Sequence, residues 1–281
     1  MKLSINRLLL LIFSSFLLVS FSYADDHYKN YAELNWQYGP KTQSILNKST
    51  IELTEDLLFL DVKETDKYLE LSNNQPLGLE ELLAPIDLQW QAYFSFDDVG
   101  YVKDDDSIDA DDLLKNAKET DIISNKYRKE QGWSALNTVG WEYPPRYNNV
   151  KNRLEWAYIL QVEDTGEIMT NYFTRILGRN GVMGVQLATF PEDLNESVNE
   201  LNLILDSFNY KPGERYSEYQ KGDRVAEFGL AALIAGGAAA VASKKGLWAV
   251  IAGFLVAAKK FAFAIVIALF AGIVSIFRRK K

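Results

Sequence analysis

From Phe228 to Phe277 the chain carries no acidic residue, and its only charges are four lysines in two adjacent pairs. Three apolar pieces result: Phe228–Ser243, Gly246–Ala258 and Phe261–Phe277, separated by Lys244-Lys245 and Lys259-Lys260 and closed by Arg278-Arg279-Lys280-Lys281. A stretch this apolar reads as a membrane region. The last piece, as a helix, is about 25 Å long, at the lower limit for spanning, and flanking lysines extend it by snorkelling. The first has small residues four apart, at Ala232 and Gly236 and at Ala231, Ala235 and Ala239. That spacing lets helices approach closely in lipid, and it equally suits a helix lying at the interface.

The opposite end is a targeting segment. Lys2 and Arg7 precede an apolar run, Leu8 to Val19, broken only by Ser14 and Ser15. Ser22-Tyr23-Ala24 then supplies small residues at −3 and −1, the layout of a signal peptide cleaved after Ala24. All 38 acidic residues fall in 25–243, with 20 of the 30 bases, so that this body carries a net charge of −18. Such a body repels nucleic acid and anionic lipid. The basic C-terminus belongs on the cytoplasmic side. A start outside and an end inside require an odd number of crossings, and the short middle piece makes three hard to build. One crossing, by Phe261–Phe277, is the expected topology. The expected organisation is a signal peptide over 1–24, an extracytoplasmic domain over 25–223, an anchor region over 224–277 and a basic tail over 278–281. The expected location is the cytoplasmic membrane, with lipid as a partner of the C-terminal segment.

Composition narrows the chemistry. The chain has no cysteine and one histidine, His27. Thiolate chemistry and Cys-based metal sites are excluded, and a Ser-His-Asp triad is disfavoured. No cofactor or metal is expected.

The body patterns as an α+β domain, mainly antiparallel sheet packed with helices. Leu88, Trp90, Ala92, Phe94 and Phe96 alternate as in a half-buried strand, as do Leu154, Trp156, Tyr158, Leu160 and Val162. In the second strand this puts Glu155 on the solvent face. Met169–Leu177 and Val182–Phe190 flank Gly178-Arg179-Asn180-Gly181, whose Asn-Gly pair predicts a hairpin with φ > 0 at both residues. A strand pair is expected within Ser49–Leu60. One helix is predicted to open at Pro191 and bury Leu194, Val198, Leu201, Leu205 and Phe208. A second runs from about Asp109 to Gln131, buries Ala110, Leu113, Leu114 and Ala117, and stops at Gly132. A short helix is expected at Val62–Leu71.

Candidate chemistry is thin. Asp97, Asp98, Asp104, Asp105, Asp106, Asp109, Asp111 and Asp112 form an acidic cluster. Counted as an EF-hand from Asp104, position six is Asp109 instead of Gly and position twelve is Lys115 instead of Glu, so the cluster reads as a polar loop entering a helix. A hydrolase needs only two carboxylates, with Asp104, Glu142 and Glu155 as candidates, but no spacing selects a pair. Trp141 and Tyr143-Pro144-Pro145-Arg146-Tyr147 suit a stiff loop or a binding rim. Asn171, Thr174, Arg175 and Arg179 add polar groups near the hairpin, and the arginines are expected to pair with local carboxylates. Glu227 sits beside Arg224 at the entry to the apolar tail.

Several blocks together carry a resemblance. They are Gly100-Tyr101-Val102-Lys103-Asp104-Asp105-Asp106; Trp141 with Pro144-Pro145 and Tyr147; Asn171-Tyr172, Thr174-Arg175 and Leu177-Gly178-Arg179; and Gly222-Asp223, Val225-Ala226-Glu227 and Gly229 to Leu233. From Trp36 to the C-terminal apolar segment the chain resembles a bacterial family of uncharacterised membrane-anchored proteins, catalogued as a domain of unknown function. One position departs: Asn148 stands where the pattern places Asp. The resemblance implies a signal peptide, an extracytoplasmic domain and a C-terminal anchor, and no reaction. A hairpin followed by a helix ending in Leu205-Asp206-Ser207-Phe208 also resembles the closing unit of the PsbP/Mog1-like sandwich, which bears on fold alone. The functional expectation is a non-enzymatic interaction or assembly module with a protein partner in the envelope; the alternative is a carboxylate-based envelope hydrolase.

Overall fold

The computed structural model describes residues 31–235, apart from positions 73, 75 and 131 and the side chains of Ile123 and Tyr127. The expected signal peptide and the apolar pieces beyond 235 lie outside the described residues. The strands are β1 (Gln37–Tyr38), β2 (Lys41–Ile45), β3 (Ser49–Leu53), β4 (Leu57–Leu60), β5 (Glu81–Pro85), β6 (Trp90–Asp97), β7 (Leu136–Asn148), β8 (Arg153–Val162), β9 (Ile168–Leu177), β10 (Val182–Thr189) and β11 (Asn209–Tyr210). The α-helices are α1 (Val62–Leu71), α2 (Ala110–Glu130), α3 (Leu194–Leu205) and α4 (Leu230–Ile234). Eight strands make one antiparallel sheet in the order β1-β4-β5-β6-β10-β9-β8-β7, and β11-β3-β2 make a small second sheet. The α+β expectation with a mainly antiparallel sheet holds. Among the described residues no helix is long and apolar enough to cross a membrane.

Alternation predicts half-buried strands, and here the structure corrects it. Every residue of β10 is buried, and β6 buries Gln91 and Tyr93 as well as Trp90, Ala92 and Phe94. The reason is a third layer. On one face α3 and the small sheet close a core containing Ile45, Ile51, Phe94, Val185, Leu201 and Tyr210. On the other face two separate covers sit side by side. One cluster joins Leu154, Trp156, Phe173 and Val182 to Leu113, Leu230 and Leu233; the other joins Tyr93 and Leu82 to Leu69 of α1 and Leu34. Leu88, expected to lead β6, lies instead in the preceding turn with φ +56°. The strands expected within Ser49–Leu60 exist but do not pair: β3 joins the small sheet and β4 the large one.

The β9–β10 hairpin forms, with Gly178 N–H donating to Gly181 O at 2.8 Å. Neither Asn180 nor Gly181 takes a positive φ, contrary to the Asn-Gly expectation. Gly181 is required for close approach: a Cβ there would stand 2.2 Å from Asp97 O and 2.8 Å from the Phe96 ring. Asn180 Nδ2 instead donates to Glu214 Oε2 at 3.0 Å. Two consecutive positive φ values occur at Leu46 (47°) and Asn47 (58°), between β2 and β3, where Lys48 N–H closes the turn on Ile45 O. The primed turn geometry suits the twist of that hairpin, and no Gly marks it.

α1 and α2 lie where periodicity puts them, and Gly132 ends α2 with φ +76°. At Pro191 the chain first makes a 3-10 turn, Pro191–Asp193, and α3 begins at Leu194. The buried face of α2 is corrected. Leu113 is buried and Ala110, Leu114 and Ala117 only partly so, whereas Asp121, Ser124 and Arg128 are buried. The helix packs along the edge strand β7, so its inner positions meet backbone groups. The Asp121 carboxylate accepts from Thr138 N–H at 2.6 Å, and Asn125 both accepts from Leu136 N–H and donates to Leu136 O, each at 2.8 Å. These bonds close a sheet edge that would otherwise offer free donors and acceptors. Gly181→Ala should cost about 1–3 kcal/mol, the range for overpacking against a fixed backbone. Urea denaturation of the full chain checks it, and an unchanged midpoint would contradict the close approach.

Candidate functional site

The resemblance blocks meet at one corner of the large sheet. β6 runs out at Asp97 into Gly100, whose φ of +88° and whose 2.5 Å gap from a would-be Cβ to Arg224 O both require glycine. Tyr101 N–H then donates to Arg224 O and Ala226 N–H to Tyr101 O, each at 2.8 Å. This short parallel bridge fastens a strap, residues 211–229, to the sheet corner. Arg179 grips the strap from the hairpin, with Nε and Nη2 donating to the two Asp223 oxygens at 2.7 and 2.9 Å. That guanidinium, with the Gln220 N–H, holds the Asp223 carboxyl below its usual range. Arg224 pairs with Asp98, Tyr216 donates to Val102 O at 3.0 Å, and the Tyr101 and Tyr216 rings stack at 4.5 Å. Beyond the strap, α4 buries Leu230, Leu233 and Ile234 against the sheet.

The acidic cluster is dispersed by this arrangement. Asp109 Oδ1 accepts from Asp111 and Asp112 N–H at 3.1 Å each, as expected for a loop entering α2. Asp104 accepts from the Tyr147 hydroxyl at 3.0 Å. Asp106 lies against Gly229, where a Cβ would stand 1.9 Å from its carboxylate. Asp98 holds Arg224, and Asp105 is exposed. Among the described residues, no three acidic or histidine side chains are placed to hold a metal ion. Trp141 donates to Ala110 O at 3.0 Å and stacks on Tyr158 at 4.5 Å, so this aromatic packs instead of lining a rim. Asn148 Oδ1 accepts from Val150 and Lys151 N–H at 3.0 and 3.1 Å. It shapes the β7–β8 turn, a role aspartate fills equally well.

The hydrolase candidates do not converge. Glu142 is exposed on β7. Glu155, expected at solvent, is buried beneath α3 with Arg153 at 2.7 Å and Arg146 at 3.6 Å. Its face is covered by the third layer that alternation does not reveal. Asp104 is held by Tyr147, which pairs with Leu154 in the β7–β8 register, on the face of the sheet opposite Glu155. Glu227 is exposed on the strap.

A different group of charges comes together where the two covers of the other face meet. The register places Arg175 beside Gly184, Gly184 beside Ser95, and Ser95 next to Glu80, which precedes β5. Gly184 leaves room: a Cβ would stand 2.9 Å from Arg175 Nη1 and 3.0 Å from Ser95 Oγ. Arg175 lies over the Trp156 ring, 5.4 Å from its centroid, and donates from Nη1 to Thr174 O at 3.2 Å. Asp97 projects from the same side of β6 as Ser95. Burial pushes the Glu80 carboxyl up to about 7, aided by the nearby Asp66 charge and opposed by Arg175. Burial also raises Asp97, again against Arg175. Sequence inspection missed Glu80 and Ser95 and gave Arg175 a local partner. The available signal was Gly184 inside a strand, which marks a close approach.

Glu80 is 5% exposed. Its folded pKa exceeds the unfolded one, so the native state holds the extra proton and stability falls as pH rises through the interval from 4.5 to about 7. The loss from this group is about 3 kcal/mol at most. Thermal unfolding of the full chain between those pH values should show the decline. Glu80→Gln should flatten it and raise the Tm at pH 8.

Comparison with known proteins gives two findings and one absence. No curated protein matches the chain significantly. The solution structure of cyanobacterial PsbP from Synechocystis sp. PCC 6803 is similar over 63% of this chain and 94% of that one, at 11% identity and a TM-score of 0.37. A family model described as a protein of unknown function, DUF2167, matches residues 37–270, which takes in the sheet, the strap and α4 together with much of the apolar tail, and the chain belongs to that family.

Proposed function

We propose that this protein is an envelope protein whose acidic domain lies outside the cytoplasmic membrane, is held there by the C-terminal apolar segment, and works as a binding or assembly module. The strap carries this reading. Arg179–Asp223, the Tyr101–Val225 bridge and the Asp106–Gly229 contact are made by residues of the resemblance blocks, and all of them fix the stretch that leads into the apolar tail. A domain on a flexible tether has no need of such fastening. One anchored rigidly at its exit presents a set face to partners along the membrane. The net charge of −18 over 25–243 keeps that face off anionic lipid, and the basic tail suits the cytoplasmic side.

The anchor is tested by fractionation. The full chain should sediment with membranes, resist carbonate and dissolve in detergent, while a chain ended after Ala235 should be released. A membrane-bound truncation would sink the proposal. Orientation is tested by reporters fused after Lys281. A cytoplasm-only fluorescent reporter should light up there, and alkaline phosphatase activity at that position would reverse the assignment.

A further inference from the structure

The chain leaves the domain beside α2. Leu230, Leu233 and Ile234 of α4 are buried in one cluster with Leu113, and Leu114 and Ala117 pack against that cluster. Asp106, in the loop that enters α2, lies against Gly229 at the start of α4. From residue 236 on the sequence has no acidic residue and is mostly apolar. On the outer side of α2, Lys115, Lys118, Ile122, Lys126 and Lys129 are all exposed. Their spacings of three and four set them in one line along the helix. Ile122, 75% exposed, stands in the middle of that line. Shallow open depressions lie on either side of it, one reaching Leu114 and the other Asn137 near the start of β7. Asp111, Glu119 and Glu130 border the same depressions, and Lys129 pairs with Glu163 at 2.8 Å.

Residues 25–243 carry a net charge of −18, but α2 holds five acids and five bases and contributes none of that excess. Four of its five bases stand in the exposed line; the fifth, Arg128, is buried. Lysine stems lie along an apolar boundary while their ammonium groups reach phosphates. An isoleucine set among them gains by leaving water. Such a line, beside the point where the chain turns into its apolar tail, fits the headgroup layer of a bilayer. We propose that the outer face of α2 is the surface this domain lays on the membrane, with Lys115, Lys118 and Lys126 on anionic phospholipid headgroups and Ile122 at the acyl boundary. The proposal rests on the anchored reading given above and adds to it the contact face and the lipid class. The remainder of the acidic body then stands away from the bilayer, as its charge requires.

The test uses the full chain, which has no cysteine, so that one introduced thiol carries one label. Ile122→Cys and Leu203→Cys each receive a fluorophore; Leu203 is 74% exposed on α3, which covers the opposite face of the sheet. The labelled chains are reconstituted into vesicles of phosphatidylcholine and phosphatidylglycerol that contain a lipid with a headgroup nitroxide, and are floated on a density gradient. The probe at 122 should be quenched several-fold more than the probe at 203, and less so at high salt or in phosphatidylcholine alone. Lys115→Gln, Lys118→Gln and Lys126→Gln together should bring quenching at 122 down to the level at 203. All three side chains are exposed, and an unchanged Tm checks that the variant folds. A chain that fails to float would overturn the anchored reading and this proposal with it. A chain that floats with equal quenching at both positions, or that keeps its quenching at 122 after the triple substitution, would overturn this proposal alone. Disulfide cross-linking of unlabelled Ile122→Cys between chains would also overturn it and assign the face to a second copy.

Discussion

Burial of β10 on both faces means that the large sheet needs a cover on each side, and the chain draws those covers from stretches far apart in sequence. α3 and the small sheet close one face from 41–53 and 194–210. The opposite face is closed in two patches, one by α1 and one by α2, the 99–108 loop and α4. Apolar burial drives both closures. Tyr210 shows how tightly the layers are joined: its buried hydroxyl accepts from Met183 N–H and donates to Ile176 O, both at 2.8 Å, tying β11 to the hairpin.

Two covers on one face leave a line where they meet, and polar side chains collect there. Glu80, Ser95, Asp97 and Arg175 occupy it, with Gly184 as the gap that accommodates the guanidinium. On the opposite face Glu155 is also buried, but it has Arg153 and Arg146 beside it and so behaves as a structural ion pair. Burial alone does not mark a site.

The strap divides the labour of the resemblance blocks. Much of Gly100 to Asp106, Arg179 and Gly222 to Leu233 serves to hold residues 211–235 on the sheet corner. Their chemistry is that of fastening: a bidentate arginine, a short parallel bridge, and glycines where the backbone of another segment comes within contact distance. Tyr172, Thr174 and Arg175 belong to the same blocks but point elsewhere. Thr174 donates to Leu154 O inside the sheet, and Arg175 lies over the Trp156 ring.

Local patterns fixed much of this before any tertiary contact. Periodicity located β8, β9, α1 and the stripe of α3, since strand and helix periods are properties of the chain itself. Gly132 announced the end of α2, because only a residue tolerant of left-handed backbone fits there. The Asp-rich cluster could be read as a loop entering a helix for an equally local reason, the positive end of the helix dipole. Tertiary structure decided the rest. Which strands of Ser49–Leu60 pair, whether the Asn-Gly loop adopts positive φ, and which residues of α2 are buried all depend on neighbours distant in sequence. Glu155 looked exposed and Glu80 unremarkable because alternation counts one covered face, and the second cover is assembled only when the sheet and helices pack.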